Sequence, residues 1–245
     1  MTNPNKKYLF PALLLCCIVI LSGCSPSRPA SVDSQELQFT TPAEGDPIAL
    51  IETSMGTIKI VLYPKYAPKA VENFTRLAEN GYYNGVLFHR IVKDFIIQGG
   101  DPTGTGTGGE SVWGAPFETE ITDLLHNYTG AVGMASSSEN GNGSQFYIVQ
   151  TPADSVTDTM VDQMRAAGRR EEVISTYQQA GGVPYLDYGY TVFAQVYEGM
   201  DVVDKIAKVK TDDREKPKKD VTITSVTIST YSTPQQEESE GSDAA

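Results

Sequence analysis

Cysteine is missing from almost all of this 245-residue chain: the three present are Cys16, Cys17 and Cys24, and no thiol follows residue 24. A fold built from the remainder can hold no disulfide framework, zinc knuckle or cysteine nucleophile. Histidine is nearly as scarce, with only His89 and His126, and neither has a second ligand at metal spacing. Metal-centred and histidine-based acid–base chemistry are therefore poorly supported, and the expectation is an activity with no metal and no cofactor. Basic charge is also short, 19 Lys and Arg against 31 Asp and Glu giving a net −12. No basic stripe compensates, because Arg214, Lys216, Lys218 and Lys219 are interleaved with Asp213, Glu215 and Asp220 and read as a solvated loop. Nucleic acid is excluded as a partner, since binding it needs a basic face that displaces counterions from phosphate. The glycine-rich Gly104 to Gly109 lacks a following Lys-Ser/Thr and opens no helix, so it reads as a flexible or tightly turned surface loop, not a phosphate cradle.

Long apolar runs are limited to Leu9 to Leu21, the length of a signal-peptide core and short of the ~20 residues a spanning helix needs. Lys6 and Lys7 precede it, and Leu21-Ser22-Gly23-Cys24 closes it. This ending resembles a bacterial lipobox, which implies that residues 1–23 are a lipoprotein signal peptide and that Cys24 is lipidated, with palmitate-type acyl chains holding the protein on the extracytoplasmic side of the cell membrane. An ordinary secretory signal would instead leave Cys24 as an odd thiol. Residues 24–46, rich in Ser and Pro, read as a flexible tether, and residues 231–245, ending in Glu237, Glu238, Glu240 and Asp243, as a disordered acidic tail. The globular part is then residues 47–230, expected to be a monomer.

Within it, Ile48 to Tyr63 reads as two strands around the turn Ser54-Met55-Gly56. Ala67 to Asn80 carries Ala70, Phe74, Leu77 and Ala78 at helical spacing, with Gly81 as the stop. Short strand-like runs follow at Val86–Val92, Phe95–Gln98, Ala131–Ala135, Phe146–Gln150, Thr191–Tyr197 and Val221–Ser229, with a second helix over Met200–Val209. Many short strands with two isolated helices predict a mainly β fold closed into an antiparallel barrel. Thr151 to Gly182, rich in Met, Gln, Arg, Glu and Ala, is expected to be a helical insertion (residues 151–182) beside the site, open to three roles: narrowing substrate choice, supplying a partner surface or, as the default, decorating a loop.

Three segments carry the chemistry: Phe88-His89-Arg90-Ile91-Val92, Phe95-Ile96-Ile97-Gln98-Gly99-Gly100-Asp101 and Gly143-Ser144-Gln145-Phe146-Tyr147-Ile148. In this order and spacing, with Gly133-Met134-Ala135, Leu186-Asp187 and Val192-Phe193, they resemble the cyclophilin family across the whole of 47–230. The resemblance implies a closed eight-stranded antiparallel barrel capped by two α-helices and peptidyl-prolyl cis-trans isomerase activity. It puts Arg90 at the catalytic arginine with Gln98 beside it, and Phe95, Ile96, Tyr147 and Leu186 around the proline pocket. Ala135, Ser136 and Gln145 would line the groove for neighbouring substrate residues. The chain departs from the family's common pattern at Tyr147 (often Phe), Tyr185 (often Trp), Tyr190 (often His) and Ser136 (often Asn), and the three tyrosines keep an aromatic surface. His89, next to Arg90 on a strand, should face the other way and be structural, and His126, Trp113 and Phe117 receive no catalytic role.

The residue types suit that chemistry. An X-Pro bond turns slowly because amide resonance opposes rotation, with a barrier of ~18–20 kcal/mol and times of ~10–100 s. Twisting returns a lone pair to the prolyl nitrogen, which a fixed guanidinium can stabilise without a metal, nucleotide or titrating base. The expected partners are proline-containing unfolded or secreted polypeptides, whose folding the isomerase would assist. The competing expectation is a surface-tethered peptide-binding or chaperone module with little isomerase activity.

Overall fold

The computed structural model describes residues 36–136 and 141–233. The signal segment 1–23, Cys24, the tether as far as residue 35 and the tail from residue 234 lie outside the described residues. In chain order the elements are β1 (Pro47–Thr53), β2 (Gly56–Leu62), α1 (Pro68–Glu79), β3 (Arg90–Val92), β4 (Ile96–Gly99), β5 (Ala131–Met134), β6 (Phe146–Val149), α2 (Asp158–Ala166), α3 (Glu171–Ala180), β7 (Val192–Glu198), α4 (Met200–Ala207) and β8 (Ile223–Thr230).

The eight strands form one antiparallel sheet in the order β3-β4-β6-β5-β7-β2-β1-β8. The expected closed barrel is corrected here: the sheet curls into an open half-barrel whose edge strands are β3 and β8. Between those edges there is no ladder, only the isolated bridge Leu87↔Thr222 and single bonds such as Phe88 N–H to the Val221 carbonyl at 2.9 Å. The run 86–92, expected as one strand, is shortened to Arg90–Val92 for the same reason.

Helix α1 starts with Pro68 in its first turn, where the missing N–H costs nothing, and Gly81 just beyond its end takes φ +68°, a left-handed value that favours glycine. Its buried face puts Phe74 among Tyr83, Phe146 and Phe193, with ring centroids 5.2–5.6 Å apart. These rings and the inward residues of the strands form the main core, with α1 against β7 and β8 and α4 against β2, β3 and β4. A second apolar cluster lies on the outer face of the sheet, and a third is made by the insertion, where Val161, Met164, Val173, Ile174 and Tyr177 pack with Tyr128.

The domain starts earlier than residue 47. Gln38, buried, clasps residue 126 in both directions, its carboxamide accepting from the His126 N–H at 2.7 Å and donating to the His126 carbonyl at 2.9 Å. Glu36 pairs with Arg170 of the insertion at 3.0 Å. At the other end, Tyr231 donates its N–H to the Asp46 carbonyl at 2.7 Å. Residues 36–46 and 231–233, expected in the tether and tail, are thus attached to the folded body. No helix among the described residues is long and apolar enough to cross a membrane.

Candidate active site

Sheet register builds the site. Arg90 pairs with Gln98, Gln98 with Tyr147 and Tyr147 with Gly133, so four adjacent strands contribute one row of side chains to one face. The next row, Ile91, Ile97, Ile148 and Val132, points the other way into the core, where each is almost fully buried. The alternation of isoleucine with polar or aromatic residues therefore puts the chemistry on the outer face of the half-barrel and its support directly behind. Above the outer row runs a groove of about 920 Å3 lined by Arg90, Phe95, Ile96, Gln98, Ala135, Ser136, Gln145, Tyr147, Leu186 and Tyr190, and also by Gly106–Ser111.

Arg90 is partly exposed, and its Nε donates to the Glu215 carboxylate at 2.7 Å. Its guanidinium carbon lies 5.8 Å from the centroid of the Phe95 ring, within cation–π range. Glu215 is held in turn: its carbonyl accepts the Ile91 N–H at 2.8 Å, and its own N–H donates to the Asp212 carbonyl at 3.0 Å. Gln98 donates to the Gln145 carboxamide oxygen at 2.9 Å, and Gln145 donates to the Gly108 carbonyl at 2.7 Å. The Gly104–Gly109 loop resolves as tightly turned, wrapped around the Asp101 carboxylate, which accepts from Thr103 N–H at 2.8 Å and Gly106 N–H at 2.7 Å. Burial raises the Asp101 pKa, but the bonds from Thr103, Gly108 and Gly106 outweigh it and hold the carboxyl down at about 2.

Tyr147, only 2% exposed, forms a wall of the groove and donates its hydroxyl to Asn127 Oδ1 at 2.6 Å. Its ring meets Tyr190 edge-on at 6.1 Å. Tyr185 is 66% exposed and stacks on Phe95 at 6.3 Å, at the rim and not among the lining residues.

A family model for cyclophilin-type peptidyl-prolyl cis-trans isomerases matches residues 48–228. The chain belongs to that family. A Staphylococcus saprophyticus protein bearing the peptidyl-prolyl cis-trans isomerase name is 46% identical over 192 residues, covering 78% of this chain and 96% of that protein. A Staphylococcus aureus counterpart with the same name is 43% identical over 185 residues, covering 76% of this chain and 93% of its own. Among solved structures, a Cryptosporidium parvum cyclophilin-type isomerase crystallised in the presence of the dipeptide Ala-Pro has a TM-score of 0.60 at 32% identity, with 74% of this chain and 98% of that one covered.

In this cyclophilin every site residue expected from sequence except Tyr185 and Cys24 lines one groove. Gln98 sits across from Arg90 as expected, but its carboxamide engages Gln145, and the group that holds the guanidinium is Glu215. Glu215 belongs to the charged run read as a solvated loop; Asp213, Arg214, Lys216, Lys218, Lys219 and Asp220 are exposed as that reading expects, and Glu215 is the member that turns inward, to Arg90 and the Ile91 N–H. Sequence reasoning also passed over Asn127 and Asp187, which stand behind Tyr147. His126 is buried, with Nδ1 2.9 Å from Asp187 Oδ2. His89 is buried against Gly106, and burial lowers its pKa.

Proposed function

We propose that this cyclophilin isomerises X-Pro bonds with Arg90 as its catalytic residue, acting outside the cytoplasm from a lipid anchor on Cys24. The observation that carries the site assignment is the outer row of Arg90, Gln98 and Tyr147, with the guanidinium fixed beside Phe95. Phe95, Ile96, Tyr147 and Leu186 hold the pyrrolidine ring while the rest of the amide rotates. As the amide twists, a free guanidinium Nη donates to the prolyl nitrogen, whose lone pair exists only in the twisted form, so the transition state gains more than either planar state. Gln98, with one N–H left beyond its bond to Gln145, offers it to the substrate carbonyl, and Gln145, Ala135 and Ser136 line the path of the residues that flank the proline. Turnover near ~10³ s⁻¹ requires the barrier to fall by roughly 5–7 kcal/mol, within reach of one aimed cation and a tight pocket.

The substrates are proline-containing unfolded or secreted polypeptides, met by a monomer with no metal or cofactor. The lipobox-like Leu21-Ser22-Gly23-Cys24 supports the anchor. Cys24→Ser should release the protein from membranes and abolish palmitate labelling; unchanged membrane association would end that part of the proposal. Arg90→Ala should lower kcat/KM on a proline tetrapeptide at least tenfold with the melting temperature preserved, whereas wild-type rates would remove Arg90 from its role. A tethered peptide-binding module is the second reading, favoured by nothing specific in the groove: it needs no guanidinium aimed across the pocket.

A further inference from the structure

From its contacts behind the groove, we infer that the helical insertion is a buttress of the proline pocket, with Tyr177 of α3 a positioning residue that acts through Asp187 and Asn127 on Tyr147 and Leu186. The inference rests on the assignment of Tyr147 and Leu186 to that pocket. Tyr177 is fully buried and donates its hydroxyl to Asp187 Oδ1 at 2.8 Å. Asp187, whose side chain is 3% exposed, also accepts the Asn127 N–H at 2.8 Å, the Asn127 Nδ2 at 3.0 Å and the His126 Nδ1 contact at 2.9 Å. With Nδ2 spent on Asp187, Asn127 turns Oδ1 toward Tyr147, which donates to it at 2.6 Å. An unbroken line of hydrogen bonds thus runs from the insertion to the wall of the groove, and Asp187 is the chain neighbour of Leu186.

The backbone makes the same link. Val183 donates its N–H to the Asn127 carbonyl at 2.8 Å, and Thr129 donates to the Gly181 carbonyl at 3.3 Å, so the strand-like run 127–129 is seated on the end of the insertion. At Gly182, φ is +129°, and an added Cβ would lie 2.7 Å from the Tyr128 Cα and 2.8 Å from the Tyr177 ring, leaving no room for slack between the two segments. Tyr128 and Tyr177 rings pack at 4.5 Å. A buried carboxylate that loses one of its donors is left short of a partner in a low dielectric, so its remaining bonds rearrange. Removing the Tyr177 hydroxyl therefore loosens Asn127 and, through it, Tyr147.

The test is a double-mutant cycle with Tyr177→Phe and Tyr147→Phe, reading KM, kcat and melting temperature on a proline tetrapeptide. Tyr177→Phe keeps the ring and its packing and should raise KM by about threefold or more while kcat stays within about twofold, and in the Tyr147→Phe background the same change should move KM by less than about 1.5-fold, because the line is already cut. Equal KM effects in both backgrounds, or a loss confined to melting temperature, would overturn the inference and leave Tyr177 a purely structural residue. Leu186→Ala separates the underlying assignment: if it and Tyr147→Phe both leave KM unchanged, the pocket itself is misplaced and the inference falls with it, whereas a raised KM for these two and none for Tyr177→Phe removes the buttress alone.

Discussion

Glu215 gives the clearest separation of catalysis from stability. Replacing it with glycine removes the carboxylate that holds Arg90 Nε at 2.7 Å. The two side chains are 35% and 43% exposed, and an ion pair of that kind contributes about 0–1 kcal/mol to stability. Glu215 also sits at φ +65°, where a residue with a Cβ costs roughly 1–2 kcal/mol that glycine avoids. Glycine's larger unfolded-state entropy returns about 0.5–1 kcal/mol of that gain. The contributions nearly cancel, so the melting temperature should move by no more than about 3 °C for a domain of this size. Catalysis has no such compensation. A fully removed transition-state donor typically costs about 10²–10³ in rate. Here the donor remains but loses its orientation, so kcat/KM should fall by about tenfold, equivalent to roughly 1.4 kcal/mol. Glu215→Gln keeps an acceptor for Nε and should lose less. The assay is cis-trans exchange of a proline tetrapeptide by NMR beside thermal melts of the same samples. A Glu215→Gly protein with wild-type kcat/KM would refute the claim that the carboxylate aims the guanidinium, and a rate loss matched by a collapse in melting temperature would reassign it to folding.

Two further expectations can be checked with the same tools. A Cβ on Gly133 would overlap the Tyr147 hydroxyl and Cζ and lie 2.9 Å from Cε1, so Gly133→Ala should cost about 1–3 kcal/mol by overpacking and raise KM. Tyr147→Phe removes the hydroxyl but keeps Cζ and Cε1, so it should rescue Gly133→Ala only in part, and an unchanged KM for Gly133→Ala would sink the idea. Burial lowers the His89 pKa, with Asp101 opposing and Lys216 and Arg90 reinforcing. The folded chain thus favours neutral imidazole, and stability is full above the unfolded value of about 6.5 and declines as pH falls from there. His89→Leu should flatten the change in urea midpoint between pH 7.5 and pH 5.5, and an undiminished slope would place the titrating group elsewhere.

Much of this fold was legible because its signals are local. The spacing of Ala70, Phe74, Leu77 and Ala78 located α1, Gly81 located its end, and Ser54-Met55-Gly56 located the β1–β2 turn. The outer row was legible too, since strand alternation separates Arg90 from Ile91 and Gln98 from Ile97. Closure of the barrel was not legible, because it depends on whether two distant edges form a ladder, and between Leu87 and Thr222 they form a single bridge. Glu215 was invisible for a related reason: it lies 125 residues from Arg90, and a charge within a mixed run looks the same whether it faces water or a guanidinium. Residues 36–46 were grouped with the tether because the Ser and Pro content of residues 24–46 reports an inability to fold alone, not an inability to dock on a body already folded.

The tyrosines that depart from the family's common pattern follow different physical rules. Tyr185 and Tyr190 can place their hydroxyls near solvent at the groove, so each is a change of surface. Tyr147 cannot, being 98% out of contact with water by exposure. A buried hydroxyl without a partner costs free energy on the order of 1–3 kcal/mol, so a tyrosine there demands an acceptor. Asn127 is that acceptor, but an amide presents its oxygen reliably only if its NH₂ is engaged, and Asp187 engages it. Asp187 then needs donors enough for a carboxylate, and Tyr177 of the insertion is one of them. One extra oxygen in the pocket wall thus commits three further residues, the last of them on an element that composition alone would class as decoration.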